Sequence, residues 1–184
     1  NRMLMAALND TDILSALKEN AENGFRMLMA KYKEPVYWHI RRLVISHDDA
    51  QDATQETFVR VFRSFRQFKG ECSFCAWIYR IATNEALRIL ERRRNERLSL
   101  DDPEAGVSNL MADEYVDYSD LEAVKLQKAI LSLPTRQQLA FNLRYYDELE
   151  YDEIAAITGS TAANVKANYH LAKEKIIKYM NSTD

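Results

Sequence analysis

Apolar side chains recur along most of the chain at three- and four-residue spacing, the period of an α-helix that buries one stripe. A short amphipathic stretch at Thr11–Lys18 predicts an opening helix, and the pattern from about Asn23 to Ile45 predicts a long one with a bend at Pro35. Ser46 with Asp49 suits the start of the next helix, in which Ala50, Ala53, Phe58, Val61, Phe62 and Phe65 fall on one side. That helix is expected to end near Arg66. Gly70 breaks the pattern, and Ser73 as a cap predicts a further helix through Trp77, Ile78 and Ile81 to the cluster Arg92, Arg93 and Arg94. In the second half, helices are predicted at Ser119–Leu131, Thr135–Tyr146, Tyr151–Ile157 and Ala162–Met180.

Composition agrees with an all-α fold. Among 184 residues there are 4 glycines and 3 prolines, too few turn residues for a sandwich or barrel and ample for long helices with short connections. No run approaches the roughly 18 uncharged apolar residues of a spanning helix and no signal peptide opens the chain, so a cytoplasmic protein without membrane insertion is expected. Cys72 and Cys75 alone build neither a disulfide framework nor a four-thiolate zinc site. The three histidines, His39, His47 and His170, are scattered, so no metal or cofactor is expected. The lone C-x-x-C reads as incidental rather than as a redox pair or half of a metal site.

The net charge of −3 is unevenly spread. Residues 25–98 carry 15 basic and 9 acidic side chains, residues 99–122 carry 8 acidic and no basic ones, and residues 123–184 carry 8 and 7. This predicts two small helical domains, 1–98 and 119–184, joined by an acidic linker at 99–118 that also holds Pro103 and Gly106. Eight carboxylates in Leu100–Glu122 are expected to keep most of that linker extended, as a passive tether or as a mimic of a nucleic-acid backbone.

Glu150–Gly159 supplies a short helix with small alanines and a glycine at its end, the requirements of a helix-turn-helix. Thr161 is a natural cap for the helix that follows. There Val165, Tyr169, Ala172, Ile176 and Met180 must face a core, which turns Ala163, Asn164, Lys166, Ala167, His170 and Lys173 outward. Small residues permit close approach to a major groove, Asn164 can read a base edge and Lys166 can meet a phosphate. A plain αα-hairpin with a solvated face fits the spacing too.

Two other faces stand out in the first half. Arg80, Asn84 and Arg88 share a stripe that Arg92, Arg93, Arg94 and Arg97 extend, which suits a DNA backbone or, more simply, a solvated helix end. Asp52, Gln55, Glu56, Val59, Arg60 and Arg63 lie opposite the apolar stripe of their helix. An exposed Val59 among charges suggests a docking face; the simpler alternative is a solvated surface with a Glu56–Arg60 pair worth a few tenths of a kcal/mol.

These segments resemble a known family. Ala129–Pro134, Leu143–Tyr146, Tyr151–Ala155 and Asn164–Lys166 are similar to the promoter-reading region 4 of bacterial extracytoplasmic-function sigma factors of the sigma-70 family. Asp49–Val59 resembles the family's region 2.2, and Ser73–Leu87 its regions 2.3 and 2.4, in the family's order and spacing. The resemblance implies that the Asp52–Arg63 face docks on the coiled-coil clamp helices of the polymerase β′ subunit. It implies that the loop Phe68, Lys69, Gly70, Glu71 and Cys72 captures a base flipped from the −10 element, backed by Arg80, Asn84, Arg88, Arg92 and Arg93. It implies that the last helix reads the −35 element, that core RNA polymerase (β′ clamp helices and β flap) and promoter DNA are partners, and that an anti-sigma factor binds the chain. The linker would thread toward the polymerase's RNA exit path.

In one respect the chain departs from the family, which usually places arginines after its Val-Lys pair. Here Ala167, Asn168 and Leu171 stand instead, and fewer phosphate contacts should make the isolated domain a weak DNA binder. No nucleophile–base pair, phosphate-cradling glycine loop or carboxylate pair stands out, so the chain is not expected to be an enzyme. The reading is a transcription initiation factor that directs core polymerase to promoters and helps melt the −10 region. A stand-alone helix-turn-helix regulator and a helical interaction protein without DNA binding are the alternatives.

Overall fold

The computed structural model describes residues 8–99 and 120–182. The linker expected at 99–118 lies outside them except for Ser99. The chain divides into two compact units, Asn1–Val107 and Ser108–Asp184, and the described residues form eight α-helices and one 3-10 turn, with no strand among them.

The first unit contains α1 (Asp10–Glu19), α2 (Ala21–Val44), α3 (His47–Ser64), a 3-10 turn (Phe65–Gln67) and α4 (Phe74–Ser99). Helix α1 packs on α2, while α2, α3 and α4 pack on one another. Asn20 both ends α1 and caps α2, its Oδ1 accepting from the Asn23 amide at 3.2 Å. Four residues on, Gly24 has no room for a side chain, since a Cβ there would stand 2.4 Å from the Leu17 backbone nitrogen. Two helices joined by one residue can lie this close only over a glycine. Ile13, Leu17, Leu28, Tyr32, Val36 and Ile40 are buried in the unit's core, and α2 is continuous through Pro35, which sits on its exposed side.

Between α2 and α3 the chain turns at Ile45, whose φ is 67° and which is flanked by a hydrogen bond from the Ser46 amide to the Val44 carbonyl at 2.7 Å. This is the strained form of γ-turn, and burial of the Ile45 side chain holds it. Ser46 caps α3 through the Asp49 amide, as predicted, and Ser73 caps α4 through the Ala76 amide at 3.0 Å. Ala50, Ala53, Phe58, Val61 and Phe65 are buried. Phe62 is not: it is 45% exposed and meets the ring of Phe25 edge-on at 5.3 Å. It lies at the border of the stripe, where a 3.6-residue period no longer points straight inward. Thr54 and Thr57 enter the core by returning their hydroxyls to the carbonyls of Ala50 and Ala53.

The second unit comprises α5 (Leu121–Leu131), α6 (Thr135–Tyr145), α7 (Tyr151–Thr158) and α8 (Ala162–Asn181). Asp120 caps α5, and α6 stops one residue short of the predicted Tyr146. One cluster of Ala129, Ile130, Leu133, Phe141, Ala172 and Ile176 joins α5, α6 and α8. Around it, the Phe141 ring stacks on Tyr145 at 5.1 Å and on Tyr169 at 6.1 Å.

Candidate nucleic-acid interface

Helices α7 and α8 meet in a turn built by its backbone. Gly159 takes the left-handed conformation (φ 68°, ψ 36°), and the Ser160 amide reaches back to the Ala155 carbonyl at 3.0 Å. This closes α7 in the Schellman manner, which glycine permits without steric cost. Thr161 then caps α8, its Oγ1 accepting from the Asn164 amide at 3.2 Å. At the other end of α7, Glu153 Oε1 accepts from the Glu150 amide at 3.4 Å.

With both ends fixed, the face of α8 is fixed too. Val165, Ala172 and Ile176 are buried and Tyr169 and Met180 half-buried. Thr161, Ala163, Asn164, Lys166, Ala167, His170 and Lys173 are all exposed. The arrangement presents small, hydrogen-bonding and cationic groups together, the properties needed to enter a groove. Arg144, missed in the sequence reading, braces α6 against the start of α7: its Nη1 donates to the Leu149 carbonyl at 2.9 Å and its guanidinium lies 4.8 Å from the Tyr151 ring centre. The i,i+7 spacing of Arg144 and Tyr151 crosses a turn, so no helical periodicity points to it.

In the first unit, Arg80, Asn84, Arg88 and Arg92 are exposed along one side of α4. Two of the predicted arginines are bound to carboxylates of the same unit. Arg93 donates to both oxygens of Asp49 on α3, at 2.8 and 3.0 Å, and Arg88 Nη1 donates to Glu85 Oε1 at 2.6 Å. The Asp49 hydrogen bonds push the Arg93 guanidinium further up from its ordinary range, which fixes its charge and its position. Glu85, also absent from the sequence reading, is buried. Its i,i+3 spacing to Arg88 is visible in the sequence; its approach to Arg60 on α3 is not.

The loop before α4 divides into an anchored and an open part. Phe68 is half-buried, its ring 5.4 Å from those of Phe74 and Trp77. Phe74 is buried and Trp77 only half-buried, so the aromatic cluster reaches the surface where Lys69, Gly70 and Glu71 are exposed. Cys72 and Cys75 are half-buried thiols on either side of the cap Ser73, not joined in a disulfide. Burial pushes the Cys72 thiol up, against the pull of Arg80, so the reactive thiolate is disfavoured.

On α3, Asp52, Gln55, Arg60 and Arg63 are exposed, Glu56 is half-buried and Val59 is 39% exposed. Arg60 Nε lies 3.2 Å from Glu56 Oε1 and 2.7 Å from Glu85 Oε1. Among the described residues, no group of His, Cys, Asp and Glu is placed to hold a metal ion, and no helix is long and apolar enough to cross a membrane.

Residues 28–96 match the family described as Sigma-70 region 2, and residues 123–176 match Sigma-70, region 4. Over 178 residues the chain is 28% identical to the ECF RNA polymerase sigma-E factor of Haemophilus influenzae (92% of this chain, 94% of the relative). It is 29% identical to that of Escherichia coli K12 (92% and 93%). Among solved structures it is similar to CnrH in complex with the cytosolic domain of CnrY, with a TM-score of 0.70 and 17% identity over 94% of this chain and 97% of that one. It is also similar to the sigma factor RpoE in complex with the anti-sigma factor NepR from Bartonella quintana, with a TM-score of 0.69 and 20% identity over 87% and 98%. The last two likenesses show a shared fold.

Proposed function

The chain belongs to the extracytoplasmic-function group of the sigma-70 family of RNA polymerase sigma factors, and from that premise we propose that it carries core polymerase to two-part promoters and opens their −10 element. As a transcription initiation factor it works with RNA polymerase, whose own site performs the phosphodiester chemistry. The observation that carries the finer reading is the pair of exposed polar faces, one on each unit: the small and cationic face of α8, and the Arg80–Arg92 side of α4 beside the Phe68–Cys72 loop.

In this reading the α8 face enters the major groove at the −35 element, with Asn164 on a base edge and Lys166 on a phosphate. The −10 strand lies along α4. A base leaving the stack costs a few kcal/mol, and the aromatic cluster of Phe68 and Trp77 offers it a surface while Lys69 and the loop backbone supply polar contacts. The α3 face takes the β′ clamp helices, with Asp52 and Glu56 toward basic partner residues; the second unit takes the β flap. The two domains, 1–98 and 119–184, are held by the acidic linker at 99–118. RpoE of Bartonella quintana is solved with an anti-sigma factor, which supports one for this chain, acting with it in the cytoplasm.

Charge reversal at Asp52 and Glu56 (Asp52→Lys with Glu56→Lys) should abolish capture by core polymerase and leave the helical circular dichroism unchanged. The wild-type chain should shift promoter DNA only with core polymerase present. A chain that shifts DNA unaided and ignores the polymerase is instead a stand-alone regulator, and unchanged capture of the reversed variant removes the α3 docking assignment.

A further inference from the structure

One nearly buried carboxylate lies between the two faces of the first unit. The Glu85 side chain is 11% exposed, and its Oε1 stands 2.7 Å from Arg60 Nε on α3 and 2.6 Å from Arg88 Nη1 on its own helix. Arg60 Nε in turn lies 3.2 Å from Glu56 Oε1. Acid and base therefore alternate in an unbroken series, Glu56, Arg60, Glu85, Arg88, from the α3 docking face to the α4 stripe. Each interior member serves two neighbours. Two guanidiniums share a single oxygen of Glu85, and each weakens the other's hold on it. Arg60 likewise divides its Nε between two acids.

We infer that Glu85 is a positioning residue that couples docking at α3 to DNA binding at α4. While Glu56 holds part of Arg60, Glu85 retains Arg88. When a partner's cation takes Glu56, Arg60 passes wholly to Glu85 and Arg88 is released to a DNA phosphate. The coupling is reciprocal: a phosphate that takes Arg88 leaves Glu85 to Arg60 and frees Glu56 for the partner. This rests on the docking reading above. It gives the free protein a reason for weak DNA binding that is separate from the sparse cations of α8.

The test is fluorescence anisotropy of the free, full-length chain with a labelled DNA duplex of mixed sequence, titrated across salt. Glu85→Gln keeps the side chain's shape and removes its charge. It should steepen the dependence of log affinity on log salt by about 0.9, one phosphate contact, so that the affinity lost between about 50 and 200 mM salt deepens by about 3.5-fold. Glu56→Gln, a change at a half-exposed position that leaves the core untouched, should do the same through Arg60. Both gains should vanish when Arg88→Ala is added. Glu91→Gln makes the same charge change on the same helix and should leave the slope at its wild-type value.

If Glu85→Gln and Glu56→Gln match Glu91→Gln, or if their gains survive Arg88→Ala, the coupling is wrong. Core polymerase capture on the same preparations separates the two readings. Loss of capture by the Asp52 and Glu56 reversal together with flat Glu85→Gln slopes overturns the coupling alone. Retained capture by the reversal removes the docking reading, and the coupling with it.

Discussion

The two units orient their candidate surfaces by different means. In the first, acids on one helix hold cations on another: Asp49 on α3 holds Arg93 on α4, Glu85 on α4 meets Arg60 on α3, and Asp10 on α1 meets Lys31 on α2 at 2.7 Å. In the second, the α8 face is set by a glycine turn, a threonine cap and an apolar and aromatic core. A surface held by charges can be retuned by moving one charge. A surface held by backbone turns only with its helix. The first unit should therefore respond to charged partners, and the second mainly to changes in packing and capping.

Unfolding the first unit should leave the second standing. Gly24→Ala would set a methyl 2.4 Å from Leu17 N, against backbone that no rotamer change can move. Overpacking of this kind costs typically 1–3 kcal/mol and sometimes more, and a clash with backbone belongs at the upper end, about 3 kcal/mol. At roughly 4–8 °C per kcal/mol for a unit of this size, its melting transition should fall by at least 10 °C. Differential scanning calorimetry should show the second unit's transition unmoved. A single transition that shifts as a whole would mean that the units are not independent, and the contrast between them would lose its basis.

A smaller effect, confined to the first unit, comes from His39. This residue of α2 is fully buried, with Nε2 2.8 Å from Thr83 Oγ1 on α4 and its ring 5.2 Å from Tyr79. Burial, with a smaller contribution from the Arg42 charge, pulls its pKa down to about 3. The folded pKa is thus below the unfolded value of 6.5, so the unfolded chain binds the proton first. Stability is full above pH 6.5, falls as pH drops through the window below it, and levels near pH 3. At pH 5 the loss should be about 2 kcal/mol relative to pH 8. His39→Gln should flatten that part of the first unit's profile in urea denaturation. A profile as steep as the wild type's would mean that His39 is not the source of the acid sensitivity.

Helical periodicity and capping residues made most of the fold legible, because both are local. Ser46, Ser73 and Thr161 cap the helices predicted from them, and the α8 face emerges with its predicted residues exposed. What escaped is what depends on distant partners. Arg93 and Asp49 are 44 residues apart, and nothing in either segment announces that they meet. Glu85 shows one of its two arginines in its spacing and hides the other. Phe62 reads as core because a stripe drawn at 3.6 residues has no sharp edge, and here the edge falls between Val61 and Phe62. Gly24 looks like an ordinary poor helix former until α1 is laid over it. Arg93 was visible in the sequence as part of the arginine cluster, but its tie to Asp49 was not.

The smallest effect sharpens the contrast within the second unit. Thr161 Oγ1 accepts from the Asn164 amide at 3.2 Å and so fixes the first turn of α8, where Asn164 itself stands. Removing such a cap costs about 1 kcal/mol, and Thr161→Ala should lower the second unit's transition by a few degrees while leaving the first unaffected. The cap neutralises no phosphate. The variant should thus lose discrimination at the −35 element, measured on polymerase holoenzyme with matched and mismatched promoters, with no change in salt slope. Lys166→Ala should do the reverse, lowering the slope by about 0.9 and weakening matched and mismatched promoters alike. Thr161→Ser, which keeps the hydroxyl, should restore discrimination. If Thr161→Ala changed the salt slope and spared discrimination, the threonine would be a phosphate contact rather than the brace of the reading helix, and the second unit too would hold its surface by polar partners.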